Sequence, residues 1–305
     1  MKKCLAVLAF ALLPSISPAQ TLEDPPPAVI QQVAIKLTRQ RIPNTTVPLE
    51  VRYILIDPGN AAPPRDDFQP LVPTAVLMLF IGGDGTLGLR PAQDGQPAQI
   101  HTGSPNFLAR NRHHFAAEGF VVAVIDAATD FNERDGGLAG HRRPDRPFGG
   151  RHLHDLSVVM ADLRMRYPGI PVWALGNSRG TVSAAVTGLH VNPPADGLVL
   201  TSSFTGPNIN EEIGRLPLEA FEGPVLIVSH EADGCAFTRP ADSEALIARF
   251  TKSEKVQFKT FDSGSAPISN SCDSLAPHGF FGIDQKVVEA ISRWIRGRED
   301  DGKSH

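Results

Sequence analysis

Several features that would point elsewhere are missing from this sequence. It has no long basic block and a formal net charge of −4, which argues against a nucleic-acid partner. No apolar run is long and uninterrupted enough to cross a bilayer. There is no internal repeat and no low-complexity linker. Cysteine is scarce, at three in 305 residues, so a dense disulfide framework is not expected.

What remains is the composition of a packed domain. Hydrophobic residues make up 41% and charged residues 20%, enough apolar material for a buried core. Glycine and proline reach 27 each, which fits short strands, tight turns and irregular loops.

The N-terminus reads as a signal peptide. Lys2 and Lys3 precede an apolar run at 4–13, and Ser17-Pro18-Ala19 follows with small residues. Cleavage after Ala19 is expected, which implies a periplasmic or secreted protein. Cys4 stands at the start of the apolar run and not at its end, which disfavours a lipoprotein anchor. Loss of Lys2 and Lys3 shifts the formal charge from −4 to −6. It also leaves Cys235 and Cys272 alone in an oxidising compartment, where two cysteines point to one disulfide. Residues 20–32 read as a proline-rich lead, 33–297 as the folded domain and 298–305 as a polar tail.

Within the domain, strands are expected at 33–38 and 47–56, forming an antiparallel start. The run at 74–81 is continuously apolar, as are 120–125, 171–175, 197–200 and 224–229, which suits strands buried on both faces. A last strand is expected at 255–261. Helical spacing occupies 106–118, 153–167, 181–189, 242–250 and 284–296. Strands alternating with helices imply an α/β fold, with a mostly parallel sheet covered on both faces. The stretch at 205–223 is too short for a separate lid. Irregular segments at 85–105 and 126–150 follow strand ends, where such sheets place their ligands.

The pentapeptide Gly176-Asn177-Ser178-Arg179-Gly180 stands between a buried strand and a helix. In that setting a Gly-x-Ser-x-Gly turn lifts the serine hydroxyl above the sheet, so Ser178 is the candidate nucleophile. A serine needs a base, and His278 is the choice, in the loop before the last helix. The base needs an orienting carboxylate. Asp233, just beyond the strand at 224–229, is favoured over Glu231 and Asp273. An oxyanion needs donors: the N–H of Arg179 and, from the Gly82-Gly83-Asp84-Gly85 loop, that of Gly83, with Asp84 next. A Cys235–Cys272 bridge would tie the Asp233 loop to the His278 loop. General stability is the plainer use of that bond.

These motifs, in this order over roughly 47–296, resemble the α/β-hydrolase superfamily, and among it the exported, lidless, esterase-like members. The resemblance implies acyl-enzyme chemistry without a cofactor or metal, on a small-molecule or polymeric ester. A peptidase or an acyltransferase would use the same machinery. Ile81-Gly82 departs from the usual His-Gly pattern and leaves the second donor open between Gly83 and Asp84.

Two rivals belong to other classes. His152, His154 and Asp155, with His113 and His114, look like metal ligands. On a helix, however, His154 points away from the face shared by His152 and Asp155, and a complete zinc-hydrolase signature is lacking. The other rival is a binding module on the same fold, against which the intact Ser, Asp and His argue. Arg179 has two readings: a docking point for an acidic group, or a structural hydrogen-bond donor.

Overall fold

The continuous apolar runs become the centre of one eight-stranded sheet, ordered β1-β2-β4-β3-β5-β6-β7-β8. The computed structural model describes residues 29–59, 72–90, 105–206 and 211–297. The expected leader at 1–19, residues 20–28 of the lead and the tail at 298–305 lie outside the described residues. So do parts of two irregular stretches, 91–104 and 207–210.

In chain order the elements are β1 (Val29–Lys36), β2 (Glu50–Asp57), β3 (Val76–Phe80), α1 (Phe107–Arg110), α2 (Arg112–Ala117) and β4 (Val121–Ile125). Then come α3 (Thr129–Asn132), α4 (Gly149–Arg166), β5 (Val172–Asn177), α5 (Gly180–His190) and β6 (Gly197–Thr201). β7 (Val225–His230), α6 (Pro240–Ala245), β8 (Val256–Phe261) and α7 (Asp284–Ile295) complete the set. Strand β2 pairs antiparallel with β1 and β4, and every other pairing is parallel.

Pleating divides the core in two, because successive strand residues face opposite sides. Val76, Met78 and Phe80 of β3 join Val121, Ala123 and Ile125 of β4 on the face covered by α4 and α5. Leu77, Leu79, Val122 and Val124 join Phe107, Phe115, Ile291 and Trp294 on the other, under α1, α2 and α7. The outer strands β1 and β8 are more exposed, as edge strands are.

Two expected helices differ in detail. The one at 106–118 breaks at Asn111, whose side chain bonds Phe107 O and Asp284 Oδ1 instead of continuing one smooth turn. The one at 242–250 starts earlier, at Pro240, and tightens into a 3-10 turn at Leu246–Arg249. Strand β1 begins at Val29, within the stretch read as the lead, and pairs Val29 with Asp57. The segment at 126–150 carries the short helix α3.

The switch in strand order falls beside β3, with β4 on one side and β5 on the other. Open α/β sheets form a crevice at such a point, beyond the carboxyl ends of the strands. Here the Gly82 loop leaves β3 next to the Ser178 turn leaving β5.

A buried polar cluster lies on α3 and α4. Arg39 forks onto two carboxylates, Asp130 at 2.8 Å and Asp155 at 2.6 Å, fastening the chain after β1 to α3 and α4. Burial pushes the Asp155 carboxyl up to about 7, against the pull of Arg39. His152, one turn earlier on α4, points at α5, with Nε2 3.0 Å from Ser183 Oγ. His113 and His114 are exposed on α2. Among the described residues, no three His, Cys, Asp or Glu side chains gather as a metal site. No described helix is long and apolar enough to cross a membrane.

Burial, with Arg142 and Arg39 nearby, holds the His152 ring down at about 3, from an ordinary 6.5. Between those values the unfolded chain binds a proton that the folded protein refuses. The stability this group contributes is therefore full above about pH 6.5 and lost as pH falls toward 3. Acidification from pH 7 to pH 5 is expected to cost the wild type about 2 kcal/mol more than a His152→Gln variant. Denaturant melts at both pH values measure this; parallel losses in the two proteins would contradict it.

Candidate active site

Ser178 sits between β5 and α5 with φ of 54°, a left-handed conformation that non-glycine residues seldom adopt. Its neighbours enforce it. Ser178 N donates to Thr201 O at 3.0 Å on β6, and Ser178 O accepts from Thr181 N at 3.0 Å and Thr181 Oγ1 at 2.6 Å. The two glycines are required by contact. A Cβ on Gly176 would lie 2.4 Å from Gly180 O, and one on Gly180 would lie 2.1 Å from Phe80 O. Without side chains there, α5 starts hard against the end of β3.

That packing brings the turn to the Gly82 loop. A Cβ on Gly82 would meet Ser178 Cβ at 2.9 Å. Two of the loop's carbonyls are engaged by other groups. Gly82 O accepts from Gly85 N at 3.1 Å, and Gly83 O accepts from Arg142 Nη2 at 2.9 Å. In a planar trans peptide the N–H points opposite the carbonyl. The N–H groups of Gly83 and Asp84 are thus both turned away from those partners, so the choice between them stays open.

Arg142 is fully buried, and so is its partner Glu211, 3.4 Å away. Glu211 also faces Arg179 Nη1 at 3.5 Å, and the Arg179 guanidinium covers the Phe204 ring at 5.1 Å. One carboxylate therefore links the residue after Ser178 to the arginine behind Gly83. Arg179 is engaged by protein groups while its side chain stays partly exposed.

Asp233 and His278 meet. Asp233 lies three residues past β7, and His278 sits in a 3-10 turn, Pro277–Gly279, before α7. His278 Nδ1 is 3.1 Å from Asp233 Oδ2, with both side chains buried. The other Asp233 oxygen accepts from Cys235 N at 2.9 Å. His278 O accepts from Ser202 Oγ at 2.8 Å. Arg110 braces the same turn, bonding Gly279 O, Ser274 O at 3.1 Å and Asp284 Oδ1 at 2.6 Å. The other carboxylates considered are elsewhere engaged: Glu231 accepts from Thr260 Oγ1, and Asp273 accepts from Asn270.

A cavity of about 400 Å³ joins these parts. Ser178, His278 and residues Ile81 to Asp84 line it, with Asn106 and Asn177 among the other polar walls. Asn106 Nδ2 donates to Asn177 Oδ1 at 2.9 Å, so these two amides brace each other beside the serine. A further wall comes from the loop after β8, through Ser269, Cys272, Asp273, Ser274 and Leu275. Cys235 and Cys272 are bonded to each other, fastening that wall to the Asp233 loop.

Sequence reasoning missed Arg142, Glu211, Asn106 and also Thr238, whose Oγ1 donates to Asp233 Oδ2 at 2.9 Å. None belongs to a local motif, and each acts on the site through contacts distant in sequence. No local signal marked the ion pair: Arg142 follows His141 and precedes Arg143, and Glu211 lies between Asn210 and Glu212, polar stretches in which charged residues are ordinarily solvated.

The sequence matches no protein-family model, and no curated protein matches it. Solved structures do resemble it. A dienelactone hydrolase from Anabaena variabilis superposes with a TM-score of 0.56 at 13% identity, over 88% of this chain and 98% of that one. Est1E from Butyrivibrio proteoclasticus gives 0.54 at 10% identity, over 88% and 98%. An acylaminoacyl peptidase from Pyrococcus horikoshii gives 0.55 at 9% identity, over 91% of this chain but only 43% of that one. The chain has the α/β-hydrolase fold, and no lid stands over the cavity among the described residues.

The disulfide closes a loop of 37 residues. The chain-entropy estimate for that length is about 4 kcal/mol. Full reduction is expected to lower the melting temperature by about 10 °C, given the size of the domain. Differential scanning fluorimetry, with thiol counting to confirm reduction, checks this; an unchanged melt of the reduced protein would count against it.

Proposed function

We propose that this protein is an exported serine hydrolase that cleaves carboxylic esters through Ser178, His278 and Asp233. The observation that carries the reading is the strained Ser178 turn sharing one cavity with His278, whose Nδ1 is hydrogen-bonded to the buried Asp233. Export is supported by the leader pattern and by the Cys235–Cys272 bond, which suits an oxidising compartment.

In this reading His278 Nε2 takes the Ser178 hydroxyl proton as the serine oxygen attacks the ester carbonyl. Asp233 at Nδ1 keeps the ring oriented and stabilises its charged form. Negative charge develops on the carbonyl oxygen. The N–H of Arg179 and that of Gly83, with Asp84 next, receive it. The tetrahedral species collapses, and the alcohol leaves with the proton from His278. Water then attacks the Ser178 ester, giving its proton to His278. The acid departs, and Ser178 regains its hydrogen.

The cavity volume of about 400 Å³ lies in the range of small-ligand sites, and we take a short acyl group as the first substrate to test. Hydrolysis of p-nitrophenyl esters across chain lengths tests the reading, with fluorophosphonate labelling in parallel. Short-chain esters are expected to turn over fastest, and Ser178→Ala should lower kcat by about 10³-fold or more and abolish labelling. Undiminished labelling of the variant would refute Ser178. A wild type that labels but cleaves no ester would move the reading to amide hydrolysis or acyl transfer.

A further inference from the structure

Thr238 lies inside the same hydrogen-bonded group without a part in the steps above. Its side chain is fully buried. Its Oγ1 is 2.9 Å from Asp233 Oδ2 and 3.1 Å from His278 Nδ1. Those two atoms are themselves 3.1 Å apart, so the three form a closed triangle.

Chemistry orders the hydrogens in it. An ionised carboxylate has none to give, so the Thr238 hydroxyl hydrogen goes to Asp233 Oδ2. With its single hydrogen committed there, Thr238 Oγ1 can only accept from Nδ1. Both neighbours of Nδ1 then present lone pairs, and the ring hydrogen must reside on Nδ1. The Nε2 atom is left with its lone pair, the form a base for Ser178 requires.

The triangle is also mechanically held. Thr238 N donates to Cys235 O at 3.2 Å, and Cys235 N donates to Asp233 Oδ1. Cys235 is in turn bonded to Cys272. Threonine is β-branched, with few side-chain rotamers available. The Asp233 carboxylate thus receives three donors, Cys235 N–H, Thr238 O–H and His278 Nδ1–H. Loss of the hydroxyl leaves its plane set by two.

We propose that Thr238 is a positioning residue for the hydrolysis: its hydroxyl fixes Asp233 Oδ2 and holds His278 in the tautomer protonated at Nδ1. The inference rests on the Ser178–His278–Asp233 reading. A threonine that merely satisfied its own hydroxyl in the core would affect stability and leave turnover by the folded protein alone.

Thr238→Val keeps the shape and removes the hydroxyl; Thr238→Ser keeps the hydroxyl. Each is assayed on a p-nitrophenyl ester in the mature protein, with unfolding curves to confirm folding. In Thr238→Val, kcat is expected to fall about 10- to 100-fold with KM changed less than about two-fold, the pattern of a displaced reacting group. Thr238→Ser should recover kcat to within about three-fold, since it restores the hydrogen bonds. On an Asp233→Ala background, Thr238→Val should change kcat by less than about two-fold, because residues acting through one another are not additive.

Wild-type kcat in Thr238→Val would overturn the proposal. So would the same fold loss with and without Asp233, or a loss confined to KM. If Thr238→Val does not fold, Thr238→Ala is read in its place by the same criteria. Ser178→Ala separates the two levels. Full activity in that variant overturns the underlying site, whereas an inactive Ser178→Ala beside a fully active Thr238→Val overturns only the role of Thr238.

Discussion

The backbone contact between Gly180 and Phe80 governs the rest of the site. Helix α5 begins so close to the end of β3 that a single methyl group at Gly180 would lie 2.1 Å from the Phe80 carbonyl oxygen. That proximity leaves the chain between β5 and α5 no room for a gradual turn, and Ser178 takes up the left-handed conformation. It also sets the serine against Gly82, the first residue of the loop supplying the candidate oxyanion donors. The candidate nucleophile, a helix start and the loop that carries Gly83 and Asp84 come together because one interface excludes Cβ atoms. The cost of the strained serine is met by the packing of the sheet around it, a common arrangement at functional sites.

The loops that complete the site are each fastened by a different kind of bond. The buried Arg142–Glu211 pair holds the Gly83 carbonyl and reaches Arg179. Arg110 and Ser202 hold the His278 turn. The Cys235–Cys272 bond joins the Asp233 loop to the cavity wall at 269–275. Loops are the least constrained parts of such folds, and reacting groups must be positioned within fractions of an ångström. A buried ion pair is poor value as a source of stability, which makes the placing of Arg142 behind Gly83 more intelligible as geometry than as energy.

The fold was legible wherever a local pattern sufficed. The runs at 74–81 and 120–125 are continuously apolar because β3 and β4 are buried on both faces, so their residues needed no alternation. The Gly-x-Ser-x-Gly turn was legible because close contact demands glycine at both 176 and 180. Asp233 lies further beyond β7 than Glu231, where a loop can reach back, and its Oδ2 is 3.1 Å from His278 Nδ1. What escaped depended on distant partners. Asn111 interrupts the expected helix at 106–118 because its amide finds Asp284. Arg142 and Glu211 are charged residues in irregular segments, ordinarily solvated, and only the folded chain buries them against each other. Thr238 is an unremarkable threonine until Asp233 and His278, 5 and 40 residues away, close around it.

The central claim is that an acyl group passes through the Ser178 oxygen. The most direct measurement is acid quench of the protein during turnover of p-nitrophenyl acetate, followed by peptide mapping by mass spectrometry. The account predicts one acetyl group, on the peptide containing Ser178, appearing with the burst of p-nitrophenol and lost as turnover ends. An acetyl group carried by another residue at that rate, or sustained turnover with Ser178 never acylated, would contradict it.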